Sequence, residues 1–161
     1  MEIGQEPADF ELRDQHGQCV RLSSFRGTRA VVVMFYPHAF SRVCTAELRD
    51  VRDTLPRFES AEAQLLAISC DPMFTLRAVA EADALRFPLL SDFWPHGQVA
   101  SAFGAFDENS GRAARATFVL DRNGTLRWSG HSAAPVARDF GEVLRVLEGL
   151  AAPGRGYRPD E

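Results

Sequence analysis

Cys44 closes the stretch Pro37-His-Ala-Phe-Ser41-Arg-Val-Cys44, and apolar residues then recur at Leu48, Val51, Leu55 and Phe58, in steps of 4, 3, 4 and 3. That spacing predicts one helical face from about Arg42 to Ser60, with Cys44 in its first turn. A thiol reacts as its thiolate, which the unpaired N–H groups and positive dipole end of a helix N-terminus favour. Ser41 stands where its hydroxyl can cap the first turn or turn toward the sulfur. Pro37 contributes no N–H and stiffens the entry to the loop.

Ionisation alone does not make a specialised thiol. Lowering any thiol's pKa from ~8.5 to ~6 raises its thiolate fraction at neutral pH only about 10- to 30-fold, worth ~2 kcal/mol of barrier. Attack on a peroxide O–O bond also builds charge on the departing oxygen. Fixed donors such as a guanidinium, a hydroxyl and backbone N–H groups must stabilise that charge. A distant arginine is therefore expected to complete the site. The plainer alternative is a helix cysteine that packs as a small hydrophobe.

The elements that position these residues read as α/β. QCVRLSSF, after the turn-like DQHG, reads as a strand closing an N-terminal hairpin. RAVVVMFY (29–36) reads as a central buried strand, QLLAISCD (64–71) as a second and FPLLSD (87–92) as a third. MFTLRAVAEADAL reads as a helix, and GQVASAFGAF as a short helix followed by a loop. RATFVLD (115–121) and TLRWSG (125–130) flank a turn, and a last helix is expected from Pro135 to Leu150. Pro56 is expected to bend or interrupt the first long helix. One domain, 1–152, is expected, with a flexible tail at 153–161.

At 161 residues, 45% hydrophobic and 25% charged, the chain has the composition of a single globular domain. A formal net charge of −4 gives no reason to expect nucleic acid or an anionic membrane as partner. All 18 basic residues are arginine, which we read as codon bias. No apolar run approaches the ~18 residues needed to span a bilayer and the N-terminus is not leader-like, so the protein is expected in the cytoplasm. Cys19, Cys44 and Cys70 form no CxxC motif, and His16, His38, His96 and His131 lack ligand spacing, so neither a metal nor another cofactor is expected. Phe40, Phe93 and Trp94 read as an apolar collar, subunit contacts or ordinary packing.

The Pro37–Cys44 stretch resembles the PxxxTxxC signature of peroxiredoxins, with Ser41 in the threonine position. The likeness extends from GQEPADFELRDQHG to the last helix. FPLLSDFWPHG and RATFVLD are similar to the one-cysteine alkyl hydroperoxide reductase E type. The resemblance implies a thioredoxin-like fold, a central mixed β-sheet flanked by helices with an N-terminal β-hairpin. It implies a thiol peroxidase that reduces hydrogen peroxide, organic hydroperoxides and peroxynitrite through a cysteine sulfenic acid. Carried to matching positions, Cys44 is the nucleophile, Ser41 bonds to thiolate and peroxide, Pro37 shields the sulfur, and Arg115 is the distant arginine. Glu47 would hold that arginine, its alternative being a solvated charge on the helix face.

A one-cysteine cycle implies an external thiol reductant, mycothiol with a mycoredoxin or else thioredoxin, and the family usually forms homodimers. The resolving position five residues after the reactive cysteine is Arg49 here. Cys70, at the end of a strand expected beside the one leading to Cys44, is the better internal candidate for resolving the sulfenic acid; Cys19 is the other. A redox sensor or chaperone using the same cysteine is the rival reading. A disulfide reductase fits less well, since Thr45-Ala46-Glu47 follow Cys44 where that chemistry needs CxxC.

Overall fold

The computed structural model describes residues 1–132 and 137–151. The tail at 153–161 and the helix start expected at Pro135 lie outside the described residues. The chain runs through β1 (Glu11–Arg13), β2 (Cys19–Arg21), a 3-10 turn (Leu22–Phe25), β3 (Ala30–Phe35), α1 (Arg42–Ser60), β4 (Ala63–Ser69) and α2 (Met73–Asp83). It continues with β5 (Leu89–Ser91), α3 (Gln98–Ala102), β6 (Phe106–Asp107), β7 (Arg112–Ala113), β8 (Ala116–Leu120), β9 (Leu126–His131) and α4 (Gly141–Ala151). Seven strands form one mixed sheet in the order β2-β1-β5-β4-β3-β8-β9. With helices on its faces and the hairpin at its start, this is the thioredoxin-like α/β class expected.

β3 is wholly buried because the sheet is covered on both sides, which suits its unbroken run of Ala, Val, Met and Phe. Val32, Met34 and Tyr36 pack with Leu48, Val51 and Phe58 of α1, Leu76 and Val79 of α2, and Val143 and Leu147 of α4. Val31, Val33 and Phe35 face the other way, toward Val99 of α3, Phe103 just after it and Phe118 of β8. Alternation along the strands thus divides the molecule into two apolar layers.

The sheet register carries the site. β3 and β4 run parallel, and β8 runs antiparallel to β3 with Phe35 opposite Ala116. The end of β3 that leads to Cys44 therefore lies beside the start of β8, immediately after Arg115. At the hairpin, buried Gln15 donates to Phe87 O at 3.0 Å and accepts from Leu89 N at 2.9 Å, tying the turn to β5.

Four local expectations need correction. The interruption expected at Pro56 does not occur: α1 runs on as one helix, because Val51 and Phe58 are buried on either side of it and their packing outweighs the ~3 kcal/mol that an internal proline costs. The strand expected over 18–25 ends at Arg21, where the chain turns into the 3-10 segment. Residues 137–140 are not helical and α4 starts at Gly141. The stretch after α3 holds the small β6–β7 ribbon, whose two-residue strands are too short to show a period.

Candidate active site

Cys44 has no exposed surface. It lies on the apolar face of α1 with Leu48 and Val51, one turn and two turns on. Ser41 is the N-cap, in extended conformation, and its Oγ accepts from Cys44 N at 3.3 Å. That bond satisfies one of the orphan donors of the first turn and leaves the hydroxyl proton of Ser41 to be donated elsewhere. Pro37 is buried at the start of the loop, while His38 and Phe40 are exposed.

Arg115 reaches the sulfur from the start of β8. Its Nη2 donates to Cys44 Sγ at 3.2 Å, and its Nη1 donates to Glu47 Oε1. Glu47 is fully buried on the same helical face as Cys44, so it is no solvated charge. Its second oxygen accepts from Arg138 Nε at 2.6 Å and from Arg138 N at 2.9 Å.

Arg138 is absent from the residues singled out in the sequence. Its side chain is buried, and it also donates to Thr117 Oγ1 at 2.8 Å, Ala116 O at 3.2 Å and Phe35 O at 2.5 Å. It thereby spans the junction of β3 and β8. Burial lowers its pKa from the usual arginine value, opposed by the Glu47 carboxylate. Two guanidinium groups and one carboxylate leave this buried centre with a surplus positive charge, which a thiolate at Cys44 would balance. A clue was available: an acidic residue on the apolar face of α1 needs cationic partners for both oxygens.

Two buried polar atoms at this centre, Arg115 Nε and Tyr36 Oη, have no hydrogen-bond partner among the described residues. Burial pushes the Tyr36 phenol above its ordinary range; the nearby Ser69 hydroxyl opposes the shift and the Asp71 charge adds to it. An unmet buried donor costs ~1–3 kcal/mol, so Arg115 Nε has a hydrogen bond left to give.

The other cysteines are not brought to Cys44. In β4, Leu65 and Ala67 pack in the layer of Cys44, whereas Leu66 and Ile68 face the opposite layer. Cys70 continues the latter parity and lies against the backbones of Ala113 and Gly97, across the sheet from Cys44. Burial, with the nearby Asp92 charge, pushes its thiol up to about 11. Cys19 is exposed on the outer strand β2, with β1, β5 and β4 between it and β3. Phe40, Phe93 and Trp94 are all exposed. No helix among the described residues is long and apolar enough to cross a membrane.

Residues 3–129 match the AhpC/TSA family. Alkyl hydroperoxide reductase E of Mycobacterium tuberculosis is 44% identical over 152 residues, covering 94% of this chain and 99% of that protein. Among solved structures, peroxidoxin BcpB from Mycobacterium tuberculosis superposes with a TM-score of 0.84 at 34% identity, covering 93% of this chain and 98% of the other. The AhpC of Enterococcus faecalis gives a TM-score of 0.82 at 30% identity, covering 91% and 90%. Matched along most of its length by sequence and by fold, the chain belongs to the AhpC/TSA family and is a peroxiredoxin, a peroxidase of the oxidoreductase class.

Proposed function

We propose that Cys44 is the peroxidatic nucleophile of a one-cysteine cycle acting on hydrogen peroxide, organic hydroperoxides and peroxynitrite. The observation that carries this reading is the Arg115 guanidinium, which donates to the Cys44 sulfur and to the buried Glu47 at once. The name of the alkyl hydroperoxide reductase relative supports organic hydroperoxides as a substrate class.

The thiolate sulfur attacks one peroxide oxygen in line with the O–O bond. An S–O bond forms, the O–O bond breaks, and the departing oxygen takes the electron pair, leaving with a proton as an alcohol or water, or from peroxynitrite as nitrite. Arg115, through its uncommitted Nε, and Ser41, through its hydroxyl, are donors available to the charge that grows on the oxygens. Pro37 keeps bulk water from the sulfur, which strengthens each of these contacts.

The product is Cys44 sulfenic acid. An external thiol then condenses with it, releasing water and forming a mixed disulfide, and a second thiol equivalent returns Cys44 to its reduced form. The positions of Cys19 and Cys70, away from Cys44, favour an external thiol reductant. Likeness to the alkyl hydroperoxide reductase relative is the ground for proposing mycothiol with a mycoredoxin, or thioredoxin, as that reductant, together with a cytoplasmic location and a homodimer. The direct test is peroxide consumption with a thiol supply. The wild-type chain should turn over and Cys44→Ser should not; full turnover by Cys44→Ser would sink the assignment.

A further inference from the structure

On the reading that Cys44 cycles through a sulfenic acid, the same sulfur must meet two partners of different size. A peroxide is small, but a thiol reductant must bring its own sulfur and the molecule behind it to bonding distance. Cys44 has no exposed surface, so the cover must shift for either partner, and a thiol with a molecule behind it needs a much wider opening than a peroxide. That cover includes the 37–41 loop, whose Ala39 packs against the apolar cluster containing Cys44.

Beyond its junction with α1, where Thr45 N donates to Ser41 O at 2.8 Å and Cys44 N to Ser41 Oγ at 3.3 Å, the loop makes few hydrogen bonds among the described residues. Within it, Ser41 N reaches His38 O only at 3.5 Å, and Phe40 sits at φ 66°, a left-handed conformation unusual for a bulky side chain. The short contact is to another element: Ala39 N donates to Asp71 Oδ2 at 2.8 Å. Asp71 follows β4 and is itself braced. Ser69 Oγ donates to Oδ2 at 2.6 Å, and Ser91 Oγ donates to Asp71 O at 2.6 Å. The ends of the parallel strands β4 and β5 thus present one carboxylate oxygen to the backbone of the loop beside Cys44.

We propose that Asp71 is a positioning residue that latches the 37–41 loop over Cys44, favouring the closed state that reacts with peroxide over the open state that admits the thiol reductant. It acts through the Ala39 N–H and touches no reacting atom. A latch of this kind makes opposite demands on the two half-reactions. Loosening it misplaces Ser41 and Cys44 for peroxide and exposes the sulfur to bulky reagents.

The test uses the full chain with Cys19→Ser and Cys70→Ser, so that Cys44 is the sole thiol. Two rates are measured: single-turnover oxidation by hydrogen peroxide, and alkylation of the reduced protein by fluorescein maleimide. Asp71→Ala should slow oxidation and speed alkylation, each on the order of tenfold, the factor that one charge-assisted hydrogen bond supplies. Asp71→Asn should lie between, because its amide oxygen still accepts from Ala39. Ser69→Ala, which leaves the carboxylate but removes its brace, should move both rates about two- to threefold in the same two directions, and it serves if Asp71→Ala does not fold. Rates that fall together, or that do not move, overturn the latch. Alkylation released by Asp71→Ala in a protein whose Cys44 ignores peroxide would overturn the peroxidase reading instead.

Discussion

Arg115 donates to the Cys44 sulfur at 3.2 Å across a separation of 71 residues. The contact exists because β8 returns antiparallel to β3 with Ala116 opposite Phe35, setting Arg115 beside the last turn of chain before α1. A charge-bearing donor is thus fixed beside the sulfur before any substrate arrives, and on the proposed mechanism it would need no reorganisation as the O–O bond breaks.

Replacing Arg115 should therefore affect rate far more than folding. Arg115→Met is expected to slow oxidation of Cys44 by about 10²- to 10³-fold, the range for loss of one pre-aimed donor. Arg115→Lys should recover little, because an ammonium is a point charge and cannot serve Cys44 and Glu47 together with the geometry of a planar fork. Stopped-flow oxidation of each variant measures this, and a tenfold or smaller loss in Arg115→Met would remove Arg115 from the transition state.

Glu47 has a different burden. Both of its oxygens are committed, one to each arginine, and none of it is exposed. Glu47→Gln leaves one carboxamide N–H facing a guanidinium and two buried cations without a counter-charge. Breaking such a buried pair costs ~3–5 kcal/mol, so chemical denaturation should show a loss of that order. Adding Arg138→Met to Glu47→Gln should restore part of the stability, since one unpaired cation goes with it, but not the oxidation rate.

Pro37, Ser41 and Cys44 were legible in the sequence because they lie within eight consecutive residues and their roles follow from local helix-start chemistry. Arg115 was legible only as a need; composition and spacing cannot choose among 18 arginines, and its number came from the family resemblance. Arg138 was missed because it precedes α4 in a stretch without periodicity and is held by tertiary contacts to Glu47, Thr117 and Phe35. The long strands were readable from apolar runs. The path of α1 through Pro56 was not, because tertiary burial overrides the local cost of proline.

Cys70 should behave as a buried thiol. With its thiol pushed up to about 11 from 9.0, only ~0.1% is thiolate at pH 8, so alkylation should be slow there and accelerate as pH rises toward that value. The linked stability effect has a definite sign. The unfolded chain loses this proton near pH 9.0 while the fold retains it until about 11, so the contribution is full below pH 9.0 and is lost as pH rises across that window. Denaturation of Cys70→Ser against the parent should show that difference vanish. Peptide mass spectrometry after peroxide treatment should find Cys44 oxidised and no Cys44–Cys70 disulfide; such a disulfide would require the sheet between them to open.

Ser41 combines two jobs that substitution can separate. As N-cap it accepts from Cys44 N, and as a hydroxyl it has a proton to give. Ser41→Ala loses both, and should cost ~1 kcal/mol of stability together with a slower reaction with peroxide. Ser41→Thr keeps both and should stay close to the parent in each measurement. Ser41→Asp is the discriminating variant. A carboxylate caps a helix as well as serine does, so denaturation should show stability restored relative to Ser41→Ala. Yet the same carboxylate has no proton to donate and sets a negative charge beside a nucleophile that must receive an electron-rich peroxide. Stopped-flow oxidation of Ser41→Asp should therefore be slower than that of Ser41→Ala, and a faster reaction would mean that capping alone accounts for Ser41.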